Sequence, residues 1–218
     1  MFNQNKTEDR TVVAMLASAL RRDISFGTLN PDQKLRIGEL RTRYGGSNHS
    51  MRETLRVLSA EGLVEATAQR GFRVTSATEE DLCDIVLIRK ELEKNAIKRA
   101  IELGDIAWEG RVIAAHHTLR KAEIAVVASP DNLKTVEWDE ACRAVYQALL
   151  EACGRPRMLE IHRKYFDQSR RFRLTKLREG RLDHAKRAVR QKALVEAVLG
   201  RNGDVAAALI EEDIKEEL

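Results

Sequence analysis

Residues Gly45–Val74 read GGSNHSMRETLRVLSAEGLVEATAQRGFRV, and this stretch decides the fold. Its paired glycines stop one helix, Ser47 can cap the next, and Met51, Leu55 and Leu58 recur at helical spacing, with Leu63 a further candidate for that apolar face. Beyond Glu61-Gly62, Leu63–Ala66 and Gly71–Val74 read as two brief strands around a tight turn at Gln69-Arg70-Gly71. Upstream, Val12, Leu16, Leu20 and Ile24 mark a helix that stops near Phe26-Gly27. Asn30-Pro31-Asp32 is a turn, and Ile37, Leu40 and Tyr44 mark a second short helix ending at Gly45-Gly46. Three helices followed by a small β-wing predict a winged helix-turn-helix over residues 8–77.

Charge points the same way. The 218 residues carry a net charge of only +4, but residues 1–77 hold 12 Lys+Arg against 8 Asp+Glu, while the remainder is balanced. Between Arg41 and Ala60, Arg41, Arg43, Arg52 and Arg56 face one acid, Glu53. A local basic surface on a short helix is the electrostatic footprint of a nucleic-acid module. The alternative for Arg52 is an exposed arginine paired with Glu53 or Glu61.

From Thr78 onward the strand signal vanishes. Thr78 and Asp81 form a capping box, after which Leu82, Ile85, Val86, Leu92, Ala96, Ile97 and Ile101 follow helical spacing to Gly104. Further helical stretches run over about 106–127, 132–153, 156–179, 183–199 and 204–217, divided by Ser129-Pro130-Asp131, Gly154, Gly180 and Asn202-Gly203. The expected fold is mainly α: the winged module, then an all-α bundle of about six helices over residues 78–218. No apolar run reaches the length of a membrane helix, and the N-terminus lacks the pattern of a signal peptide. Three cysteines without CxxC spacing suit free, mostly buried thiols in a reducing compartment, so a cytoplasmic location is expected.

The segments SMRETLRVLSAEGLVEATAQRGFRV, LIRKELEKNAI, ALLEACGRPRML and FDQSRRFR resemble the GntR transcription regulators of the FadR type, whose helical effector domain is called FCD. The last two, with AAHHTL, resemble most the branch of a carbon-starvation-induced, glutarate-sensing repressor. The resemblance implies a dimeric repressor that reads a palindromic double-stranded DNA operator and responds to a small carboxylate effector. Asn48, His49 and Arg52 then lie on the leading face of the recognition helix, with Ser50 at its front edge. Arg52 matches the family's arginine there and can pair bidentately with guanine. Arg41, Arg43 and Arg56 are cast as backbone contacts, with the wing residues Gln69, Arg70 and Gly71 along the backbone or minor groove. Asn48 stands where the family commonly has arginine. Asparagine prefers adenine edges, so the operator is expected to depart from the usual family sequence.

Members of this family commonly hold a divalent metal with one Asp and three His. Alignment on EACG, LVEA and ALIEEDI puts those positions at Cys142, Tyr146, Gln191 and Asp213. Tyrosine and glutamine are poor ligands for a dedicated site, so the expectation is no metal cofactor. Cys142, Tyr146 and Leu149 nevertheless share one helical face and, with Gln191 and Asp213, are expected to line the effector site. Arg89 lies on an apolar stripe and has two readings. It pairs with Glu93 at i, i+4, or it clamps an effector carboxylate with help from Tyr146. Arg170, Arg171 and Arg173 are further candidates for that clamp, although for most of them the expected setting is a solvated basic face; His116-His117 is expected to be a partly buried helix pair, with a pocket role as the alternative. No nucleophile stands with a base and an oriented partner, so an enzyme is not expected.

Overall fold

The computed structural model describes residues 2–67 and 71–217, with side chains over 11–67 and 71–216. The chain divides into two compact units, Met1–Asp81 and Leu82–Leu218.

In the first unit, α1 (Phe2–Ser25) is followed by β1 (Lys34–Leu35), α2 (Ile37–Tyr44), α3 (Asn48–Ala60), β2 (Val64–Thr67) and β3 (Gly71–Val74). Leu16, Leu20 and Ile24 of α1 close over Met51, Leu55 and Leu58 of α3, so the two predicted stripes form one core, while Val12 remains 37% exposed. Each large aliphatic side chain buried this way contributes about 1.5–3 kcal/mol. Gly45 and Gly46 have φ of +80° and +84°, a region that side chains with a Cβ resist, and they make the turn between α2 and α3. The sheet has three antiparallel strands in the order β1-β3-β2, with Leu35 opposite Phe72 and Ala66 opposite Phe72 on the other side. The sequence reading contains only two of these. Lys34–Leu35 is too short for any alternation to show, and it becomes a strand only because β3 offers it an edge.

The second unit is helical throughout its regular structure: α4 (Glu79–Leu103), α5 (Ile106–Ala128), α6 (Asn132–Leu150), a 3-10 turn at Glu151–Cys153, α7 (Pro156–Arg178), α8 (His184–Leu199) and α9 (Gly203–Glu217). Local chemistry sets most starts. The carboxylates of Asp105, Asp131 and Asp183 accept from the backbone N–H three residues on, at 2.7, 2.8 and 2.9 Å, and Pro156 opens α7. At the start of α4, the Thr78 hydroxyl accepts from Asp81 N at 3.2 Å. Trp108, Val112, Trp138, Val145, Leu149, Phe166, Leu194 and Ile210 join in one continuous core. Lys186 and Arg190 of α8 pair with the Glu216 carboxylate of α9, and Lys176 of α7 donates to the Glu216 backbone carbonyl, so the end of α9 is tied to both helices. Among the described residues, no helix is long and apolar enough to cross a membrane.

Candidate functional site

The front of α3 is built by a reciprocal cap. Ser47 Oγ accepts from Ser50 N at 3.0 Å, and Ser50 Oγ accepts from Ser47 N at 2.9 Å. This corrects one expectation: Ser50 is 2% exposed and keeps its hydroxyl inside the cap, so it is not a base-contacting residue. Position N3 of a helix that starts at Asn48 faces back onto the cap, and Ser can do there what Glu or Gln usually does. Ser47→Ala is expected to destabilise this unit by about 1 kcal/mol, read as a lower melting temperature with the fold retained.

Past the cap, Asn48, His49, Arg52 and Arg56 are exposed, on the face opposite Met51, Leu55 and Leu58. Glu53 pairs with Arg56 and Glu61 with Arg21, so neither acid engages Arg52. Arg52 has no hydrogen-bond or ion-pair partner among the described residues. It lines a groove of about 450 Å³ with Arg56, Ala66, Thr67, Gly71 and Phe72, between α3 and the β2–β3 hairpin. The rest of the basic set is partly committed. Arg41 Nη1 donates to Asn48 Oδ1 at 3.2 Å, which orients the Asn48 amide. Arg43 Nη2 donates to Asp23 at 2.8 Å, and the Tyr44 hydroxyl donates to the same carboxylate at 2.5 Å. Burial and the Asp23 charge push the Tyr44 phenol above its ordinary range, which keeps that donor in place. At the wing, an added Cβ on Gly71 would fall 2.9 Å from Thr67 Oγ1, directly across the hairpin. Gln69 and Arg70 lie outside the described residues.

In the helical unit the predicted positions meet in a polar core. Asp213, wholly buried, accepts from Arg190 Nε at 2.8 Å, from the Tyr146 hydroxyl at 2.7 Å and from the Gln191 amide. Cys142 Sγ accepts from Arg187 Nη2 at 3.3 Å, and Arg187 also donates to Glu123 at 3.1 Å. Arg89 is 1% exposed and forks onto Glu93 at 2.7 and 3.4 Å, with its guanidinium 5.1 Å from the Tyr146 ring centre. A ligand carboxylate could take the Nε–Nη2 edge of Arg89 only by displacing Glu93, Nη1 donates to Ser169 Oγ at 3.2 Å, and the Tyr146 hydroxyl already donates to Asp213. His162 Nδ1 lies 3.0 Å from Glu93. Burial alone would raise the Glu93 carboxyl, but Arg89 and His162 outweigh it and lower it from 4.5 to about 2.

Arg170, Arg171 and Arg173 are buried, at 7, 8 and 0% exposure, not on a solvated face. Arg173 Nε donates to Asp139 at 2.9 Å, and Arg170 Nε lies 2.7 Å from the other Asp139 oxygen, within ion-pair range but not aligned as a hydrogen bond. The carboxylate that pulls them inward lies 34 residues from Arg173, beyond any local pattern. Sequence reading also missed Glu123, Asp139, His162, Arg187 and Arg190. For Arg187 a signal existed, since it stands one turn before Gln191 on the same face of α8.

Comparison with known proteins agrees across both units. The bacterial regulatory proteins, gntR family, match residues 13–74, and the FCD domain matches residues 84–216. The HTH-type transcriptional repressor GlaR of Escherichia coli (strain K12) is 38% identical over 159 residues, 73% of this chain and 71% of that protein. The HTH-type transcriptional regulator BphR of Paraburkholderia xenovorans (strain LB400) is 34% identical, over 66% of this chain and 59% of its own length. In fold, the chain is similar to E. coli McbR/YncC, with a TM-score of 0.72 at 18% identity, covering 94% of this chain and 93% of that one.

Proposed function

Because the chain belongs to the GntR family of bacterial regulatory proteins and carries an FCD domain, we propose that it is a cytoplasmic repressor whose hold on its operator is modulated by a small organic acid in the helical unit. At the coarser level it is a DNA-binding transcriptional regulator and not an enzyme. A palindromic operator read by a homodimer follows from the way such helices pair on half-sites one helical turn apart.

The observation that carries the DNA-reading part is Arg52: exposed on the leading face of α3, unengaged by Glu53 or Glu61, and beside the groove to the wing. A bidentate guanidinium contact to guanine discriminates by about 1–3 kcal/mol. Arg52→Ala is expected to cost that much in operator affinity and to relax preference at one base pair, measured by titration of matched and substituted operators at fixed salt. Unchanged affinity and preference would refute the assignment. Asn48 is read as the position that shifts the operator away from that of relatives, through an amide whose oxygen is held by Arg41.

An anionic effector is supported by the charge of the interior. Arg89, Arg170, Arg173, Arg187 and Arg190 are buried against the four buried carboxylates Glu93, Glu123, Asp139 and Asp213, with Glu140 and Glu216 reaching in from the surface, and Arg171 is buried over the Phe172 ring. Trp138 Nε1 and Gln191 Oε1 are buried polar atoms without a hydrogen-bond partner among the described residues, and an acid with a donor and an acceptor would suit them. A second reading is favoured by the closure of Arg89 on Glu93 and of Arg190 on Asp213: a regulator that needs no ligand. A thermal-shift screen of mono- and dicarboxylates separates the two, since a ligand of the folded state raises the melting temperature and the second reading requires that none does.

A further inference from the structure

The family resemblance implies a divalent metal at Cys142, Tyr146, Gln191 and Asp213, and the side chains there do not fit one. A metal requires lone pairs directed at a common point. Both Asp213 oxygens are already taken, Oδ1 by Arg190 Nε at 2.8 Å, Oδ2 by the Tyr146 hydroxyl at 2.7 Å and the Gln191 amide. Gln191 turns its NH₂ to the carboxylate, so it presents hydrogens where a ligand would present an oxygen. Turned over, it would set its carbonyl against the Asp213 carboxylate. The Cys142 sulfur accepts from the Arg187 guanidinium at 3.3 Å. A dication placed among these groups would stand beside two guanidinium charges. Among the described residues, no group of three or more His, Cys, Asp or Glu could hold a metal ion elsewhere.

We propose that the Arg190 guanidinium takes over the task of such a cation: it supplies the positive charge that binds Asp213 of α9 to α8, and through Asp213 to Tyr146 of α6. The geometry suits that task. Arg190 is 5% exposed, and besides Asp213 it reaches Glu216 at 2.7 Å, one turn further along α9, so one guanidinium grips two carboxylates of the same helix. Asp213 in turn collects donors from α6 and α8 on a single carboxylate, which is the convergence a metal centre would provide. The difference is that this charge is part of the chain. The tie between three helices does not depend on metal supply, and chelation does not loosen it.

The test uses the full chain. After EDTA treatment and buffer exchange, metal analysis is expected to find no stoichiometric metal. Added Zn²⁺, Ni²⁺ or Mn²⁺ at a few equivalents is expected to move the melting temperature by less than about 1 °C. One tightly held metal per chain with a rise of several degrees would overturn the proposal. Arg190→Met, which keeps the stem and removes the charge, is expected to melt about 3–6 °C lower with or without metal, because Asp213 keeps its charge and loses its counter-ion. Arg190→Met/Asp213→Asn, which removes both charges, is expected to regain at least half of that loss. If Arg190→Met does not fold, a folded double variant makes the same point. Equal melting of native and Arg190→Met protein, or a double variant no better than the single, would refute the role of Arg190. None of these readouts involves DNA or an organic acid, so they stand or fall apart from the proposed function.

Discussion

Glu93→Ala is expected to destabilise the helical unit by about 3–5 kcal/mol, the usual loss when one partner of a buried ion pair is removed. Glu93 is wholly buried and answers two groups at once, the Arg89 fork and the His162 ring. Without it a guanidinium is left against the rings of Tyr146 and Phe166, 5.1 and 4.8 Å away, which supply some cation–π attraction but no countercharge. Trp108 and Trp138, the chain's two tryptophans, both sit in this core, so fluorescence during urea unfolding reports on it directly. Glu93→Gln keeps hydrogen-bonding capacity and should lose less. A loss below about 1 kcal/mol for the alanine variant would show that the pair is not coupled to folding. The same residue sets an acid limit. Its carboxyl is held at about 2, below its ordinary 4.5, so the folded state binds the proton less readily than the unfolded chain. The stability it contributes is therefore complete above about pH 4.5 and is lost as pH falls toward 2. In Glu93→Gln that part of the acid dependence should vanish.

Gly104→Ala is expected to cost about 3 kcal/mol or more, for reasons of space and not of backbone. An added Cβ would fall 2.0 Å from Trp108 Cε3 and 2.5 Å from Cδ2, far inside contact distance. The ring has nowhere to retreat. Trp108 is 1% exposed, and its Nε1 donates to the Ala148 carbonyl at 2.7 Å, tying the start of α5 to the end of α6. Moving the ring would break that bond and disturb the core on both sides. The informative control is Gly110→Ala, because a Cβ there, on the exposed side of α5, meets nothing within 4 Å. That change should be neutral or stabilise by up to about 1 kcal/mol through helix propensity. Equal effects of the two substitutions in urea unfolding would refute the steric account.

Much of this molecule is visible in short-range pattern. The stripes of α1 and α3, the paired glycines between α2 and α3, the hairpin after Gly62 and the aspartates that open α5, α6 and α8 are all local signals. Each depends on residues within a turn or two of one another, where spacing alone settles which side chains can meet. The positions Tyr146, Gln191 and Asp213 are also placed together from sequence, through the family pattern and not through any periodicity, and they share hydrogen bonds in the folded chain.

What spacing did not contain is which charges go inside. Arg170, Arg171 and Arg173 look like a solvated basic face because arginine usually is solvated, but all three are buried, and Asp139, on a different helix, offsets the cost of burying Arg170 and Arg173. Ser50 looks like a base-reading residue until the cap turns its hydroxyl back to Ser47. Arg190 has no special mark in the sequence, yet it meets Asp213, 23 residues away, in the centre of the bundle. The sequence by itself determined the two kinds of fold and the cap, stripe and exposed basic face of α3, because periodicity, caps and turns act over a few residues. Tertiary structure decided the partners of most buried charges: Arg89 finds Glu93 one turn away, but Arg173, Arg187 and Arg190 are buried against carboxylates that distant segments bring to them.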